Sequence, residues 1–384
     1  MPRSRRLRRY GVNGGFYDAP SDGLVGAPGE LLKAEPMTAR WLPGISMAVD
    51  AWRVLYRSTS ASGAPNVVTG VVLVPRASAG DGPVPLLGFA PGTQGLSRRA
   101  ALSRQLALGI EYEAPFLAAA LRRGWTVAVT DYPGLGTRGA HPYVVGRSLG
   151  PAVLDVMRAA RQLPAARLTE TGPVGIYGYS EGGCAAGWAA QLQPAYAPDI
   201  ALDAVAVGAA PSDLPGLVDR HERSSFSFLL MYAALGFDQA YPQLQLHRYL
   251  NRGGRLTVAV MRRTHIVAAI VIGLLLPKHR RHYLIADPLT EPEWLRLLAE
   301  NSLGDLAPSA PVLVGTARHD QVIPYRQLET LIEKWRRLGV DVRQHPIPFG
   351  EHLIGGPKFC RAAFAFLGAR FAEHQPVSVE PTAS

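Results

Sequence analysis

Serine, aspartate and histidine stand in this chain at places from which a hydroxyl could be made into a nucleophile. The serine is Ser180, within Gly178-Tyr179-Ser180-Glu181-Gly182, which fits G-x-S-x-G. A serine hydroxyl attacks a carbonyl poorly until an adjacent base takes its proton, and that base needs a third group to hold its tautomer. His352, after Pro348-Phe-Gly-Glu, is the predicted base, and Asp320, after Gly315-Thr-Ala-Arg-His, is the predicted acid. Each also has a plainer use. Ser180 fits an incidental place in a glycine-rich turn, Asp320 a helix cap before Pro324, and His352 an exposed loop; His319 and Asp341 are alternative acids.

The elements around these residues sharpen the reading. Val174 to Tyr177 is a short strand-forming run and Cys184 to Leu192 reads as a helix, so Ser180 falls on a strand–turn–helix junction, the context of a nucleophile elbow. A turn that lifts a serine above a sheet brings backbones close, and residues without Cβ tolerate that. Strands are expected at 52–58, 67–74, 84–90, 125–130, 202–208, 311–315 and 340–347. Helices are expected near 114–123, after Pro151, from Pro324 to Leu338, and over 359–371. The alternation from about 84 to 208 predicts a doubly wound, mostly parallel sheet. Catalytic groups in such sheets gather outside the carboxyl ends of strands, where all three residues fall, in the nucleophile–acid–base order of α/β-hydrolases. The predicted fold is therefore an α/β-hydrolase with its core at 46–211 and 306–371. A mainly helical cap at 212–305 interrupts it, an irregular arm at 1–45 precedes it, and a disordered tail at 372–384 follows.

Composition bounds the partners. An apolar share of 47% over 384 residues supports a large core. Part of the net charge of +10 lies in Arg3, Arg5, Arg6, Arg8 and Arg9, a run that reads as a solvated tail or a hold on an anionic surface. No zinc spacing, RNA-binding motif or helix-turn-helix pattern occurs, so nucleic acid is not expected as a partner. The apolar run Ile266 to Leu276, inside the expected cap, is too short for a bilayer that needs about 20 residues. It reads as a buried or surface-binding segment and suits a lipid-like acyl chain. Cys184 and Cys360 are too few for a disulfide framework or a metal site and are expected as small buried hydrophobes, paired only if their helices are neighbours. No cofactor and no metal are expected.

A tetrahedral oxyanion needs preorganised N–H donors. One is predicted at the backbone of Glu181, and the other in the loop after the 84–90 strand, between Gly92 and Arg99. At this point the chain resembles the secretory lipases, cap-bearing α/β-hydrolases of fungi and actinobacteria. The resemblance runs through Phe16-Tyr17, Val54 to Ser58, Gly92-Thr-Gln-Gly95, Glu113-Ala-Pro115 and Asp131 to Gly136. It continues through His141-Pro-Tyr143, the elbow, Asp320 to Tyr325 and Glu351-His-Leu353. It implies a serine carboxylic-ester hydrolase, a lipase or esterase that cleaves lipid or other apolar acyl esters through an acyl-enzyme on Ser180, with transient contact to a lipid interface. Peptidase, acyltransferase and non-catalytic binding protein are the alternatives. Family members carry an aspartate where Arg98 stands; a backbone N–H survives that change, so Arg98 is taken as the second donor. The cysteine that often follows is Ala100. The family is exported, which implies an extracellular protein, whereas no apolar segment of a signal peptide follows Arg9, which points to the cytoplasm.

Overall fold

Continuous Val, Leu and Ala runs form strands buried on both faces here, because helices cover both sides of the sheet they build. The computed structural model describes residues 15–20, 24–76, 82–276 and 279–373. Its strands are β1 (Leu31–Met37), β2 (Arg40–Leu42), β3 (Ile45–Ser46), β4 (Val49–Thr59), β5 (Pro65–Pro75), β6 (Leu86–Ala90), β7 (Thr126–Thr130), β8 (Val174–Tyr179), β9 (Ala204–Gly208), β10 (Val312–Ala317) and β11 (Val342–Ile347). Its α-helices are α1 (Leu102–Leu108), α2 (Ala114–Leu121), α3 (Gly146–Arg161), α4 (Glu181–Tyr196), α5 (Leu214–His221), α6 (Phe228–Ala240), α7 (Arg252–Met261), α8 (Ile266–Leu275), α9 (Pro292–Glu300), α10 (Tyr325–Arg337) and α11 (His352–Glu373).

Nine strands make one sheet in the order β1-β4-β5-β7-β6-β8-β9-β10-β11, and β2 with β3 forms a separate short ribbon. The pairs from β1 to β7 are antiparallel and those from β7 to β11 are parallel. From β6 the chain goes first to β7 on one side and then to β8 on the other. The strand order thus reverses beside β6, and a crevice opens at the carboxyl ends of β6 and β8. Ser180 directly follows β8.

The sheet is closed by shape-matched contacts. Gly88 lies against Met157 of α3 and Gly175 against Leu367 and Phe371 of α11, so these two helices cover strands where a side chain would not fit. Trp335 of α10 is fully buried, and its Nε1 donates to Gln191 Oε1 of α4 at 3.0 Å. The same oxygen accepts from Gly304 N at 2.7 Å. Between β9 and β10 the described residues are helical, from α5 to α9 with short 3₁₀ turns. Neighbouring parallel strands are therefore joined by an excursion above the sheet.

Three expectations change. The span 1–45, expected as an irregular arm, holds β1, paired antiparallel with β4 from Leu31↔Tyr56 to Met37↔Ala51. Pro36 hid this strand in the sequence; the sheet edge accepts it because a missing N–H costs nothing there. The final helix starts at His352 rather than near residue 359. Gly355 and Gly356 look like helix breakers, yet they sit against the Tyr179 ring, where larger residues would collide. Residues 372 and 373, expected in a disordered tail, belong to α11; residues 374–384, like the arginines at 3–9, lie outside the described residues. Cys184 and Cys360 are both free and buried. Among the described residues no helix is long and apolar enough to cross a membrane.

Trp335 ties α10 to the helix that carries the serine. Trp335→Ala should lower unfolding free energy by about 3–5 kcal/mol in a urea titration. A variant with the wild-type midpoint and slope would show that this contact does not hold the two helices.

Candidate active site

Ser180 has φ 61° and ψ −122°, a backbone conformation that a residue with a Cβ adopts only when its surroundings impose it. The surroundings are three glycines. A Cβ on Gly178 would overlap the carbonyl oxygen of Gly182, one on Gly182 that of Ala90, and one on Gly183 that of Gly208. The turn is also tied by Ser180 N donating to Gly208 O at 3.0 Å, and by Cys184 N donating to Ser180 O at 3.1 Å. Together these lift the hydroxyl above the carboxyl end of the sheet.

The three residues separated by up to 172 positions meet there. His352 Nε2 is 2.9 Å from Ser180 Oγ, and His352 Nδ1 is 2.8 Å from Asp320 Oδ2. An ionised carboxylate only accepts, so Nδ1 carries the proton and Nε2 presents its lone pair to the serine hydroxyl. Asp320 is buried and its charge is spread over donors: Oδ1 accepts from Val322 N at 2.9 Å and Ile323 N at 2.8 Å, and Oδ2 accepts from Thr316 Oγ1 at 3.1 Å. Gln321 joins the acid's loop to the base. Its Oε1 accepts from His352 N at 3.2 Å, and its Nε2 donates to Glu351 Oε2 at 3.0 Å. Glu351 in turn accepts from Leu353 N and Ile354 N, capping α11. Tyr179 donates to His352 O at 2.7 Å, so the residue before the serine holds the backbone of the base. Of the alternative acids, Asp341 pairs with Arg370 at 3.4 Å, while His319 is exposed.

Arg98 was expected to offer its backbone N–H to the oxyanion. It is exposed, in a 3₁₀ turn at 98–100, and its guanidinium donates to Gly136 O at 3.4 Å. The chain that meets the elbow is the earlier part of that loop: Gly92 sits beside the Tyr179 carbonyl and Gly182 against Ala90.

Buried polar groups hold this loop, and sequence reasoning assigned them no role. Gly92 N donates to Glu113 Oε2 at 2.9 Å, and Gln94 Nε2 donates to Glu113 Oε2 at 3.2 Å and Glu111 Oε1 at 3.3 Å. Gln105 Nε2 donates to Gln94 Oε1 at 2.6 Å, and Gln105 Oε1 is bonded to His265 at the start of α8. The loop also meets the helical segment through a Gly95↔His265 bridge and through Ile266 N donating to Gln94 O at 2.9 Å. The sequence signals were the two glutamates flanking Tyr112 and the motifs Gly92-Thr-Gln-Gly95 and Glu113-Ala-Pro115, which carried no assigned role. On the other side, His141 Nε2 is 2.6 Å from Glu181 Oε1, both side chains buried, and His141 stacks on Tyr132, whose hydroxyl donates to Pro91 O at 3.0 Å. The Asp131-Tyr-Pro and His141-Pro-Tyr motifs thereby brace the first turn of α4.

Ser180 opens into a cavity of about 60 Å³ lined mainly by apolar side chains, with His221 of α5 on its wall. Burial pushes the His221 imidazole down to about 4, so it is neutral near pH 7. A larger apolar cavity of about 130 Å³ lies among α6, α7, α8 and α9. Val218, Leu230, Ala233 and Leu298 line both. Among the described residues no His, Cys, Asp and Glu group is placed to hold a metal ion.

A mostly parallel sheet with a serine raised on a βα turn, and an acid and a histidine after later strands, defines an α/β-hydrolase. The chain belongs to the secretory lipase family, whose sequence model matches residues 98–379. It is a serine ester hydrolase. Over 369 residues it is 28% identical to a protein of Mycobacterium tuberculosis named as a probable inactive lipase, covering 93% of this chain and 81% of that one. Over 351 residues it is 25% identical to a secreted triacylglycerol lipase of Malassezia furfur, covering 87% and 70%. Its fold is similar to that of Candida antarctica lipase A in its closed state, with a TM-score of 0.84 at 19% identity, covering 96% of this chain and 88% of the other.

Burial raises the affinity of the Glu111 carboxyl for its proton, up to about 7 from an ordinary 4.5, and raises Glu113 further, helped by Glu111 beside it. The folded protein thus holds protons that the unfolded chain has released. The stability carried by Glu111 is complete below about 4.5 and is lost as pH rises to about 7. Glu111→Gln should flatten this part of the unfolding-midpoint profile between those pH values. Identical profiles for both proteins would exclude a buried protonated carboxyl at residue 111.

Proposed function

We propose that the chain hydrolyses esters of apolar acyl groups through an acyl-enzyme on Ser180. The observation that carries this reading is the apolar space that starts at Ser180 and continues, by shared walls, into the helical segment above the sheet. An acyl chain in that space would present its ester carbonyl to Ser180 Oγ.

In this mechanism His352 Nε2 takes the serine proton as Oγ attacks, and Asp320 stabilises the imidazolium that forms. The negative charge gathers on the former carbonyl oxygen, where each preorganised N–H is worth about 3 kcal/mol. Glu181 N is one donor. The second lies in the loop after β6, between Gly92 and Arg99, where the backbone N–H of Thr93, like that of Arg98, is taken by no protein acceptor among the described residues. The Thr93 hydroxyl is 3.1 Å from that of Tyr143, which lines the Ser180 cavity. His352 then protonates the leaving alcohol, and a water activated by the same imidazole releases the acid. The His141–Glu181 pair keeps the first turn of α4, and so the Glu181 N–H, in place throughout. The curated relatives include proteins named as secreted lipases, which supports an extracellular site of action and a lipid ester substrate.

Chromogenic esters of rising acyl length test the proposal. Wild type should hydrolyse them and react with a fluorophosphonate at Ser180; Ser180→Ala should do neither. Asp320→Asn should lose on the order of 10⁴ in kcat through the wrong histidine tautomer. Full activity in Ser180→Ala, or no labelling of the folded wild type, would overturn the mechanism.

A further inference from the structure

Helix α8 buries small residues and rests Ile266 and Ile272 on the core, but leaves most of its large apolar side chains facing outward. Ala269 and Gly273 are its buried positions, and Gly273 packs directly on Phe228 of α6. Val267, Val271, Leu274 and Leu275 are 62%, 54%, 55% and 83% exposed. Their spacing of three and four puts them on one face, and the helix carries no charged residue. The preceding helix continues the surface: Leu256 and Val260 of α7 are exposed, with Arg252 and Arg255 exposed on the same helix. A helix surrounded by water normally turns its large apolar residues the other way.

The charge around this face is one-sided. From Gln239 to Ala286 the sequence has seven arginines, one lysine and no Asp or Glu, so this stretch carries +8 of the formal +10. Nearby acids are few and engaged: Asp238 faces Arg262 at 3.7 Å, and Glu222 and Asp287 both bind Arg280. Arg252, Arg255, Arg263 and Arg281 have no acidic partner among the described residues.

From this we infer that α7 and α8 form a docking surface for an anionic lipid–water interface. Such an interface covers both features at once: the apolar side chains enter the acyl boundary while the arginines stay at the level of anionic headgroups. A second copy of the chain would bring the same cations against themselves, which charge repulsion opposes. Docking also has a geometric consequence. Gly273 of α8 and Leu276, which follows the helix, line the larger apolar cavity, which shares walls with the Ser180 cavity. The surface therefore sits directly over the space that we propose takes the acyl chain, although docking itself does not depend on that proposal.

Sedimentation of the full chain with vesicles tests this. Phosphatidylcholine mixed with phosphatidylglycerol should bind it about tenfold or more tightly than phosphatidylcholine alone, with the difference shrinking in high salt. Arg252→Glu with Arg255→Glu should remove the preference for the anionic vesicles, and Val271→Asp with Leu275→Asp should abolish binding to both. Hydrolysis of a short water-soluble ester should stay at the wild-type rate in both variants, which also checks their folding. Binding should persist in Ser180→Ala, so failure of docking and failure of the catalytic reading are separate results. Equal binding to neutral and anionic vesicles, no binding by wild type, or wild-type binding by Val271→Asp with Leu275→Asp would overturn the inference. So would a wild-type dimer that this last variant dissolves, which would make the surface a contact between copies.

Discussion

Every functional distance in this protein depends on how closely two backbones approach at the Ser180 turn. Gly178, Gly182 and Gly183 leave no room for a Cβ, because carbonyl oxygens of Gly182, Ala90 and Gly208 occupy the places where one would project. That packing holds Ser180 in its strained conformation and aims the hydroxyl out of the sheet. It also brings strand β6 against the first turn of α4, so the loop after β6 and the N–H groups of α4 face the same point. A side chain at any of these glycines would push apart the parts that must act on one carbonyl.

Around the turn lies a layer of buried polar groups, each tied to a loop that the sheet cannot hold. Asp131 accepts from Ser103 N at 2.8 Å and from Thr69 Oγ1 at 2.7 Å, anchoring the loop after β7 and the start of α1. Glu113 and Gln94 hold the loop after β6; His141 and Glu181 hold the first turn of α4; Gln321 and Tyr179 hold His352. Leaving any one of these groups without its partner would expose an unsatisfied donor or acceptor in a dry site, which is costly enough to keep the arrangement unique. The chain from Glu113 through Gln94 and Gln105 to His265 extends this layer into the helical segment. The catalytic loop and the surface helix α8 therefore share a frame.

Much of the candidate site was legible because its residues follow strands whose apolar runs are plain in the sequence. Ser180 and Asp320 each come just after such a run, while His352 follows the largely polar edge strand β11, and topology then fixes their side of the sheet. What misled the reading was local chemistry that packing overrules. A stretch rich in Gly and Pro with few periodic positions suggested an irregular arm, but an edge strand tolerates Pro36 because it needs no N–H there. The final helix was expected only over 359–371, but it begins at His352, where the lack of a side chain at Gly355 and Gly356 admits the Tyr179 ring. Arg98 was chosen from its place in a motif, and the part of that loop seen against the elbow is Gly92, beside the Tyr179 carbonyl.

By itself the sequence determined the α/β rhythm, the elbow and the identity of the three residues that meet, because strand periodicity and steric need for glycine are local properties. The tertiary structure alone decided which backbone faces the serine, how Glu111, Glu113 and His265 join one network, and which side of α8 meets water. Those outcomes depend on contacts between segments tens to hundreds of residues apart, and residue type does not encode such a contact until the sheet has brought its partners together.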